Sequence, residues 1–416
     1  MKSTWPTKKL GEICEERKEK NINNENLPVF TVSHIYGLIP YQNIFYKQVH
    51  SKDTKNYKIV NRYDFAFGLP TKDTLPYGLL ENEDKVLVSP AYVVFSIKNK
   101  NLLFPRFLYY LLKTNYYKWK IIEMAKSQSA TRHGLPLKFH HLANLEIPLP
   151  PLPIQQKIVK ILDTIQEAID IYDKIIEKTK ELKKSLMAEL FKYGGPSFRK
   201  GRKLKKTEIG EIPEDWEVVR LGEVVLKFIG GGTPSTNVKE YWEGKIPWTT
   251  SSIIEEEKVC ILKNGQKYIS KLGLENSSTQ IVPAFNLLIG TRVGVGKVAI
   301  NEIDIAINQD LTGIIYNKEK INLFYFAYLL TSPRCQGFFN SYKRGATIKG
   351  IPRSDLETML IPLPPLSEQQ EIAEILQTVD QKIEIERRKK ELYEELFKTM
   401  LNKIMNQEID IKLLNY

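Results

Sequence analysis

Two long stretches of the chain place apolar residues at the spacing of a helix that packs along another helix. In the first stretch the positions advance by three and four residues in turn, which is a heptad pattern. A Gly-Gly-Pro run at 194–196 provides a stop signal. The pattern predicts one central helix over 151–193, with a seam formed by Ile158, Ile161, Ile165, Ala168, Tyr172, Ile175, Thr179, Leu182 and Leu186.

The carboxyl end of the chain carries a second helical pattern, over 365–405. A helix of about 40 residues is about 60 Å long, too long for one small core to cover, so its apolar side needs a partner helix. We expect the two helices to pack antiparallel, with the second seam formed by Ile372, Ile375, Val379, Ile383, Leu392, Leu396, Met400 and Ile404. The charged centre of this helix, 386–391, is interpreted as a solvated face or, alternatively, as a docking site for another subunit.

The sequence also contains an internal repeat. Ile-Pro-Leu-Pro-Pro-Leu occurs at 147–152 and at 361–366, and Ala-Thr-x-x-Gly occurs at 130–134 and at 346–350. Each copy opens alike, because Trp5 and Leu10-Gly11-Glu12 are matched by Trp216 and Leu221-Gly222-Glu223. The sequences between these anchors look unrelated. The repeat therefore predicts one scaffold that carries two different modules.

Two globular modules are expected outside the helices, at 1–150 and at 208–364. Both mix short β-branched and aromatic runs with one short helical pattern, so the predicted fold class is α+β. The predicted architecture is two globular modules joined by two long antiparallel coiled-coil helices, with an internal pseudo-two-fold repeat. A basic linker at 194–207 is interpreted as a solvated connection or as a segment that contacts phosphates, and a tail at 406–416 ends the chain.

Composition points to a polyanionic partner. The chain has 416 residues, with 61 Lys and Arg against 49 Asp and Glu, and a net charge of +12. This excess favours nucleic acid, although a solubilising surface charge has the same effect. No apolar run is long enough to cross a membrane, the first residues lack a signal-peptide core, and three distant cysteines do not form a disulfide framework. We therefore expect a cytoplasmic protein.

Several ordered motifs follow one another along the chain. They are Lys206–Trp216 followed by Leu221-Gly222, Gly231-Gly-Thr-Pro-Ser235, Ile246-Pro-Trp248, Asn308-Gln309, Gly345-Ala-Thr347 and Ile361–Gln370. Together with the two-copy layout, these motifs closely resemble the specificity subunits of type I restriction-modification enzymes, and the resemblance covers nearly the whole chain.

The resemblance implies a DNA-reading subunit. Each module would be a target-recognition domain that reads one half of an asymmetric bipartite site in double-stranded DNA. The helices would form the spacer and dock two modification subunits, which methylate adenine N6 with S-adenosylmethionine, and a restriction subunit would cleave DNA with ATP and Mg²⁺. The first module has Thr31–Gly37 and 88–95 where the second has Gly-Gly-Thr-Pro, so it resembles a different class of recognition domain.

The sequence itself favours a non-catalytic subunit that binds no cofactor or metal. The double prolines at 150–151 and 364–365 lack the Asn or Asp and the aromatic residue of an adenine methyltransferase motif. The run around Gly294 lacks the first glycine and the final Ser or Thr of a phosphate loop. The histidines and cysteines lack zinc-ligand spacing.

Candidate DNA contacts are polar side chains on loops with small residues, since forked donors, amides and threonine methyls match base edges. In the first module they are Thr31, Ser33, His34, Thr71, Lys72, Ser129, Thr131 and Arg132. In the second they are Gly232, Thr233, Ser235, Thr249, Thr250, Ser251, Arg292, Asn308, Gln309, Arg344, Thr347 and Lys349. Thr131 and Thr347 belong to the repeat and are candidates for shared phosphate contacts. Ordinary turn chemistry is the alternative for each residue.

Two other functions remain open at this point. The chain is also compatible with a recognition subunit of an orphan or fused methyltransferase that lacks a translocating restriction subunit. The other alternative is a basic coiled-coil scaffold that binds nucleic acid without sequence preference.

Overall fold

A computed structural model of the chain describes residues 5–44, 51, 53–126, 134–256, 258–344, 350–409 and 411. The chain divides into two compact units. Unit 1 is formed by Met1–Asp173 and Arg388–Tyr416, and unit 2 by Lys174–Arg387. Each of the two long helices therefore contributes one half to each unit.

Unit 1 combines short antiparallel strands with short helices. Its elements in chain order are β1 (Thr7–Lys9), α1 (Leu10–Ile13), β2 (Cys14–Arg17), β3 (Phe30–Ser33), β4 (Gly37–Pro40), β5 (Lys58–Asn61), β6 (Phe65–Phe67), β7 (Tyr77–Leu79), β8 (Lys85–Val88), β9 (Val93–Ile97), α2 (Pro105–Lys113), α3 (Asn115–Lys126), α4 (Phe139–Ala143), β10 (Glu146–Pro148) and the first half of α5 (Leu152–Tyr193). One sheet has the order β2-β9-β6-β7, and β1 pairs with β10, β3 with β4 and β5 with β8.

Aromatic side chains hold the four-stranded sheet of unit 1. Phe65 on β6 lies opposite Phe95 on β9, and their rings stack with centroids 5.0 Å apart. Phe67 lies 5.8 Å from Phe95 in the same layer. Helix α2 begins with Pro105, whose missing NH costs nothing in a first turn, and it buries Phe107 in the same core. The core of unit 1 therefore lies between the sheet and the short helices.

Unit 2 contains two larger sheets. Its elements are the second half of α5, then β11 (Leu204–Thr207), β12 (Gly210–Pro213), β13 (Glu217–Arg220), α6 (Leu221–Val224), β14 (Val225–Ile229), β15 (Ile246–Thr249), β16 (Val259–Leu262), β17 (Lys267–Ile269), α7 (Lys271–Glu275), β18 (Gln280–Val282), β19 (Asn286–Gly290), β20 (Val298–Asn301), β21 (Ile305–Ile307), β22 (Leu311–Tyr316), α8 (Leu323–Thr331), α9 (Pro333–Tyr342), α10 (Arg353–Thr358), β23 (Leu360–Leu363) and the first half of α11 (Leu366–Met405). The sheets have the orders β14-β22-β19-β20-β16 and β17-β15-β21-β18, and β13 pairs with β23.

The two units share one frame. In unit 1, β1 pairs antiparallel with β10, and in unit 2, β13 pairs antiparallel with β23. The following Leu-Gly turn is fixed in the same way in both, because Leu10 N donates to Leu145 O (2.8 Å) and Leu221 N donates to Met359 O (2.7 Å). The repeated sequence motifs thus build the same junction twice. The predicted α+β fold with an internal repeat is confirmed, since the motif repeat is also a structural repeat.

The two long helices run antiparallel in unit 2. Lys183 Nζ on α5 lies 2.6 Å from Asp380 Oδ1 on α11. Gly195, just after α5, donates its NH to Glu368 Oε1 in the first turn of α11 (3.0 Å). The end of α5 therefore lies beside the beginning of α11, and the two helices point in opposite directions.

The charged centre of α11 is solvated in part: Arg388, Lys389 and Glu391 are exposed, in line with that interpretation, whereas Glu386 and Lys390 are not. In unit 2, Glu386 is buried and pairs with Lys382 at 2.5 Å. In unit 1, Lys390 pairs with Asp173 of α5 at 2.6 Å. Ion pairing therefore allows Glu386 to be buried and Lys390 to contact α5, at positions where the sequence pattern had no apolar residue.

The seam prediction is wrong at Leu182, Leu392 and Leu396, which are exposed. The buried positions are shifted by one residue in these halves of the helices, to Lys183, Met187 and Leu190 on α5 and to Phe397 and Leu401 on α11. A straight α-helix drifts by about 20° per heptad from a strict seven-residue repeat, which amounts to nearly one residue over four heptads. Ile158, Ile161, Ile165, Ile372, Ile383 and Ile404 are buried, and Ala168, Tyr172, Ile175, Thr179, Leu186, Ile375, Val379 and Met400 are half-buried.

Candidate nucleic-acid interface

Four loops meet at one end of the sheets in unit 2. They follow β14, β15, β19 and β21, and they contain 230–236, 250–253, 291–297 and 308–310. Backbone hydrogen bonds connect them, from Gly232 N to Ile307 O (2.9 Å), from Asn308 N to Thr249 O (3.0 Å) and from Thr291 N to Asp310 O (2.9 Å). The sequence therefore distributes one polar surface over four separate loops.

Exposed polar side chains lie on this surface. Thr233, Ser235, Arg292 and Gln309 are all exposed. Thr233 Oγ1 donates to Gln309 Oε1 at 2.7 Å, which orients the amide of Gln309. Arg292 is held through its backbone NH, which donates to Asp310 O at 3.3 Å, while its guanidinium stays in solvent. These four residues remain candidates for base or phosphate contacts.

Four predicted contact residues of unit 2 are buried instead, namely Gly232, Thr249, Ser251 and Asn308. Asn308 Nδ2 donates to Asp310 Oδ2 at 2.8 Å and so shapes the loop from within. Burial argues against contact through their side chains, because small polar groups at strand ends satisfy the backbone of neighbouring loops. Their contact with DNA stays a prediction. Thr250, half-buried, accepts from Ser252 N at 3.2 Å, and the exposed Arg344 pairs with Asp355 at 3.0 Å.

Unit 1 exposes a hairpin tip and a tight loop. The tip joins β3 to β4 and carries Ser33 and the exposed His34. The loop carries the exposed Thr71 and Lys72, and the Thr71 hydroxyl lies 2.7 Å from Thr74 Oγ1. Thr31 is buried, with its hydroxyl 3.3 Å from the hydroxyl of Tyr92, and its contact with DNA stays a prediction.

The loop at 71–74 of unit 1 and the loop at 292–296 of unit 2 occupy equivalent places. Leu135 N donates to Pro70 O at 2.7 Å, and Ile351 N donates to Thr291 O at 2.8 Å. A Cβ at Gly134 or Gly350 would lie 2.8 or 2.9 Å from the same two carbonyl oxygens, which explains the glycine in each copy of the repeat. Sequence comparison missed this equivalence because the loops share no motif. The candidates Ser129, Thr131, Arg132, Thr347 and Lys349 lie outside the described residues.

The basic segment 194–207 is a folded part of unit 2, so its interpretation as a solvated linker is wrong. Arg202 forms bidentate ion pairs with Glu368 and Asp215. Lys205 Nζ donates to Glu214 O at 2.8 Å and to Trp216 O at 2.5 Å. Lys200, Lys203 and Lys206 are the exposed lysines of the segment.

The cysteine side chains are unsuited to nucleophilic chemistry. All three are buried, and burial raises the pKa of the Cys14 thiol to about 12 and that of the Cys335 thiol to about 11. Burial also raises the pKa of Cys260. Among the described residues, no three His, Cys, Asp or Glu side chains lie together as a metal-binding group. No helix in the described parts of the chain is long and apolar enough to span a membrane.

Comparison with known proteins identifies the family. The model of a type I restriction modification DNA specificity domain matches residues 2–181 and 213–395. The chain belongs to this family. A putative type I restriction enzyme MjaX specificity subunit from Methanocaldococcus jannaschii is 34% identical over 80% of this chain and 75% of its own length. The MjaVIII specificity subunit from the same organism is 30% identical over 99% of this chain and 94% of its own length.

Solved structures agree with the fold. A chain from a structural study of complex assembly and conformational transition of the type I R-M system covers 96% of this chain and 97% of its own length, at 20% identity and a TM-score of 0.58. The S subunit of a type I restriction-modification system from M. genitalium covers 97% of this chain and 96% of its own length, at 13% identity and a TM-score of 0.55. The resemblance deduced from the sequence motifs is therefore confirmed. The chain is a specificity subunit with two DNA recognition domains, and subunits of this class are not catalytic.

Proposed function

We propose that the two units read the two halves of an asymmetric, bipartite site in double-stranded DNA. The observation that carries this proposal is the pair of loops at 71–74 and 292–296. Equivalent backbone hydrogen bonds hold them at equivalent places, but the loops present different side chains. An identical frame gives both units the same approach to the duplex. Different side chains give the two half-sites different sequences.

In unit 2, Arg292 and Gln309 are the residues best suited to read bases. A guanidinium donates two hydrogen bonds to guanine, and a side-chain amide pairs with the major-groove edge of adenine. Arg292 is exposed. The side-chain carbonyl of Gln309 accepts a hydrogen bond from Thr233, and this bond orients the NH₂ group of Gln309. In unit 1, Lys72 and His34 are the corresponding exposed donors.

We assign the chemistry to partner subunits. Two modification subunits would bind S-adenosylmethionine and methylate adenine N6, and restriction subunits would use ATP and Mg²⁺ to cleave DNA, all in the reducing cytoplasm. This chain would bind none of these cofactors itself. The assignment is supported by the family, whose named relatives are specificity subunits of type I restriction enzymes.

The outer faces of the long helices are suited to docking the modification subunits. In unit 1, Ile171, Leu392 and Leu396 are exposed, and in unit 2, Leu182 and Ile385 are exposed. Large apolar side chains on a helix surface mark a site for another protein when several occur together. We propose that modification subunits cover these residues, and that the helices set the spacer between the half-sites.

The test is methylation sequencing of a host that expresses this chain with its modification subunit. We expect adenine methylation at one asymmetric motif with an unspecified spacer. The Leu392→Asp/Leu396→Asp variant should lose methylation through loss of assembly, whereas the control Lys398→Asp, on the same helix, should keep it. A palindromic motif, or methylation without this chain, would refute the proposal.

A further inference from the structure

The tip of the β3–β4 hairpin in unit 1 exposes two large apolar side chains side by side. Ile35 is 67% exposed and Tyr36 is 69% exposed. Their backbone is fixed, because Ser33 Oγ accepts hydrogen bonds from Ile35 N at 3.1 Å and from Tyr36 N at 3.3 Å. Gly37 follows with φ of +70°, which closes the turn. Both side chains are therefore exposed to solvent on a short hairpin turn whose backbone is fixed by hydrogen bonds.

The hairpin packs tightly against β7. A Cβ on Gly78 would lie 2.3 Å from Leu38 N, so the two strands touch backbone to backbone. A Cβ on Gly37 would lie 3.6 Å from Tyr77 O. Gly37 thus faces the first residue of β7 and Leu38 faces the second. The tip consequently lies at the end of β7 that begins with Tyr77, and the chain reaches this end from the Thr71–Thr74 loop.

The size and the surroundings of the tip favour DNA over a protein partner. A stable protein interface buries about 800 Å² on each side, far more than two side chains supply. His34 on the tip and Thr71 and Lys72 on the loop that precedes β7 are exposed and polar or basic, and the chain carries a net charge of +12. The major groove admits a two-stranded β-ribbon, and the apolar group that base pairs display there is the thymine methyl.

We propose that the β3–β4 hairpin enters the major groove of the first half-site and that Ile35 and Tyr36 pack against a thymine methyl group. This inference rests on the proposed function, which requires DNA reading by unit 1. It adds a base identity to that function, because a half-site with a methylated adenine also contains the paired thymine. The two residues thus act as apolar specificity determinants, in contrast to the polar readout residues of unit 2.

The experiment replaces each thymine of the recognised duplex by deoxyuridine, one at a time, and measures the Kd of the chain assembled with its modification subunits. Deoxyuridine lacks only the methyl group. We expect one replacement in the first half-site to raise the Kd about fourfold, as the loss of one buried methyl group predicts. Replacements in the second half-site serve as controls for DNA structure.

The Ile35→Ser/Tyr36→Ser variant then tests whether the tip makes the contact. This variant should bind the thymine duplex about tenfold more weakly than the unmodified chain does. It should bind the deoxyuridine duplex and the thymine duplex with the same Kd, because it no longer contacts the methyl group. The slope of log Kd against log salt should stay unchanged, because the tip neutralises no phosphate. Ile22, which is 74% exposed on another loop of unit 1, supplies the matched control Ile22→Ser, which should bind as the unmodified chain does.

Three results would overturn the inference. The first is a Kd that no deoxyuridine replacement in the first half-site changes. The second is a deoxyuridine effect on Kd that is as large in the double variant as in the unmodified chain, and the third is a loss of affinity in Ile22→Ser as large as that in the double variant. The scan uses the unmodified chain, so it decides the question even if the double variant folds poorly. If the assembled complex prefers no sequence at all, the proposed function fails instead. A preferred sequence with a silent scan refutes only the role of the tip.

Discussion

The beginnings of the two long helices use the same glutamine in the two units. Gln155 and Gln369 are both fully buried. Gln155 Oε1 accepts from Phe104 N at 2.8 Å, and Gln369 Oε1 accepts from Asn322 N at 2.8 Å. The amide nitrogens donate to Leu102 O and Pro150 O in unit 1 (2.9 and 2.8 Å), and to Lys320 O and Pro364 O in unit 2 (3.0 and 2.7 Å). One side chain thus ties each long helix to the loop before α2 or α8.

The residue before this glutamine differs between the units. In unit 1 it is Ile154, which packs against the apolar core. In unit 2 it is Glu368, which has no solvent-exposed surface, and which accepts from Trp216 Nε1 at 2.9 Å, from Gly195 N at 3.0 Å and from the guanidinium of Arg202. An apolar contact in one unit is therefore a charged network in the other.

The difference follows from the path of the chain. In unit 2 the segment 194–207 connects the end of α5 to β11. Glu368 binds both a backbone NH of this segment, that of Gly195, and the guanidinium of its Arg202. A buried carboxylate is costly unless it is paired and hydrogen-bonded, and here four donors satisfy it. The frame is thus repeated, and the charge appears where the frame must hold an additional segment.

The largest expected effect comes from removing the arginine. Arg202→Ala leaves Glu368 buried with one partner fewer and without a compensating charge. We expect a loss of about 3 to 5 kcal/mol in the free energy of unfolding of unit 2. Denaturant unfolding monitored by tryptophan fluorescence measures the loss, because three of the five tryptophans, Trp216, Trp242 and Trp248, lie in unit 2.

Two variants sharpen this result. Arg202→Ala/Glu368→Ile copies the apolar solution of unit 1 and should recover part of the loss, although Trp216 Nε1 and Gly195 N then lack an acceptor. Arg199→Ala is the matched control, because the side chain of its partner Glu189 is 46% exposed whereas Glu368 is fully buried, and it should cost less than about 1 kcal/mol. Equal losses in Arg202→Ala and Arg199→Ala would contradict the buried network.

Replacing either glutamine should cost the same in its own unit. Gln155→Leu or Gln369→Leu leaves one NH and two carbonyl groups without partners, and we expect a loss of about 2 to 3 kcal/mol. Hydrogen exchange locates the effect: the amide of Phe104 should lose protection only in Gln155→Leu, and that of Asn322 only in Gln369→Leu. The exposed Gln156 supplies the control Gln156→Leu. Unequal losses would show that the two junctions are not equivalent.

The frame was predictable from the sequence because it is local and repeated. Helix-period patterns predicted helices at 151–193 and 365–405, close to the observed Leu152–Tyr193 and Leu366–Met405. The seam was not predictable to the residue, because Lys183 and Lys390 form ion pairs between the two helices, and a hydrophobic pattern does not detect charged contact positions.

The site was predictable only as a set of loops. Sequence reasoning selected polar residues beside glycines, and it could not separate Asn308, which holds its loop from within, from the exposed Gln309 next to it. That separation depends on strands distant in sequence, such as β15, whose Thr249 O accepts from Asn308 N. Sequence reasoning also did not select Ile35 and Tyr36 as contact residues, because apolar residues in a strand-rich module suggest a core.

Exposed and buried loop residues of unit 2 should respond differently to mutation. Arg292→Ala should reduce discrimination in the second half-site by about 1 to 3 kcal/mol and leave the free energy of unfolding unchanged. Asn308→Ala should destabilise unit 2 through loss of its hydrogen bond to Asp310. Binding to single-base-substituted duplexes, together with thermal unfolding, separates the two effects. A change in first-half-site preference by Arg292→Ala would contradict the assignment of one half-site to each unit.

The smallest expected effect tests the exposed side of the network that unit 1 lacks. The hydrogen bonds from Arg202 hold the pKa of Asp215 below its usual range, against a smaller opposing effect of burial. A carboxyl whose pKa is lower in the folded state adds stability above its unfolded pKa, near 3.9, and loses it as pH falls through the folded value. Because Asp215 is more than half exposed, the contribution should stay below about 1 kcal/mol. The difference in unfolding temperature between the unmodified chain and Asp215→Asn should therefore be small at pH 7 and should shrink below about pH 4. Other carboxyl groups titrate equally in both proteins and cancel in this difference, so a gap that is independent of pH would show that the ion pair to Asp215 contributes nothing and that Glu368 alone anchors Arg202.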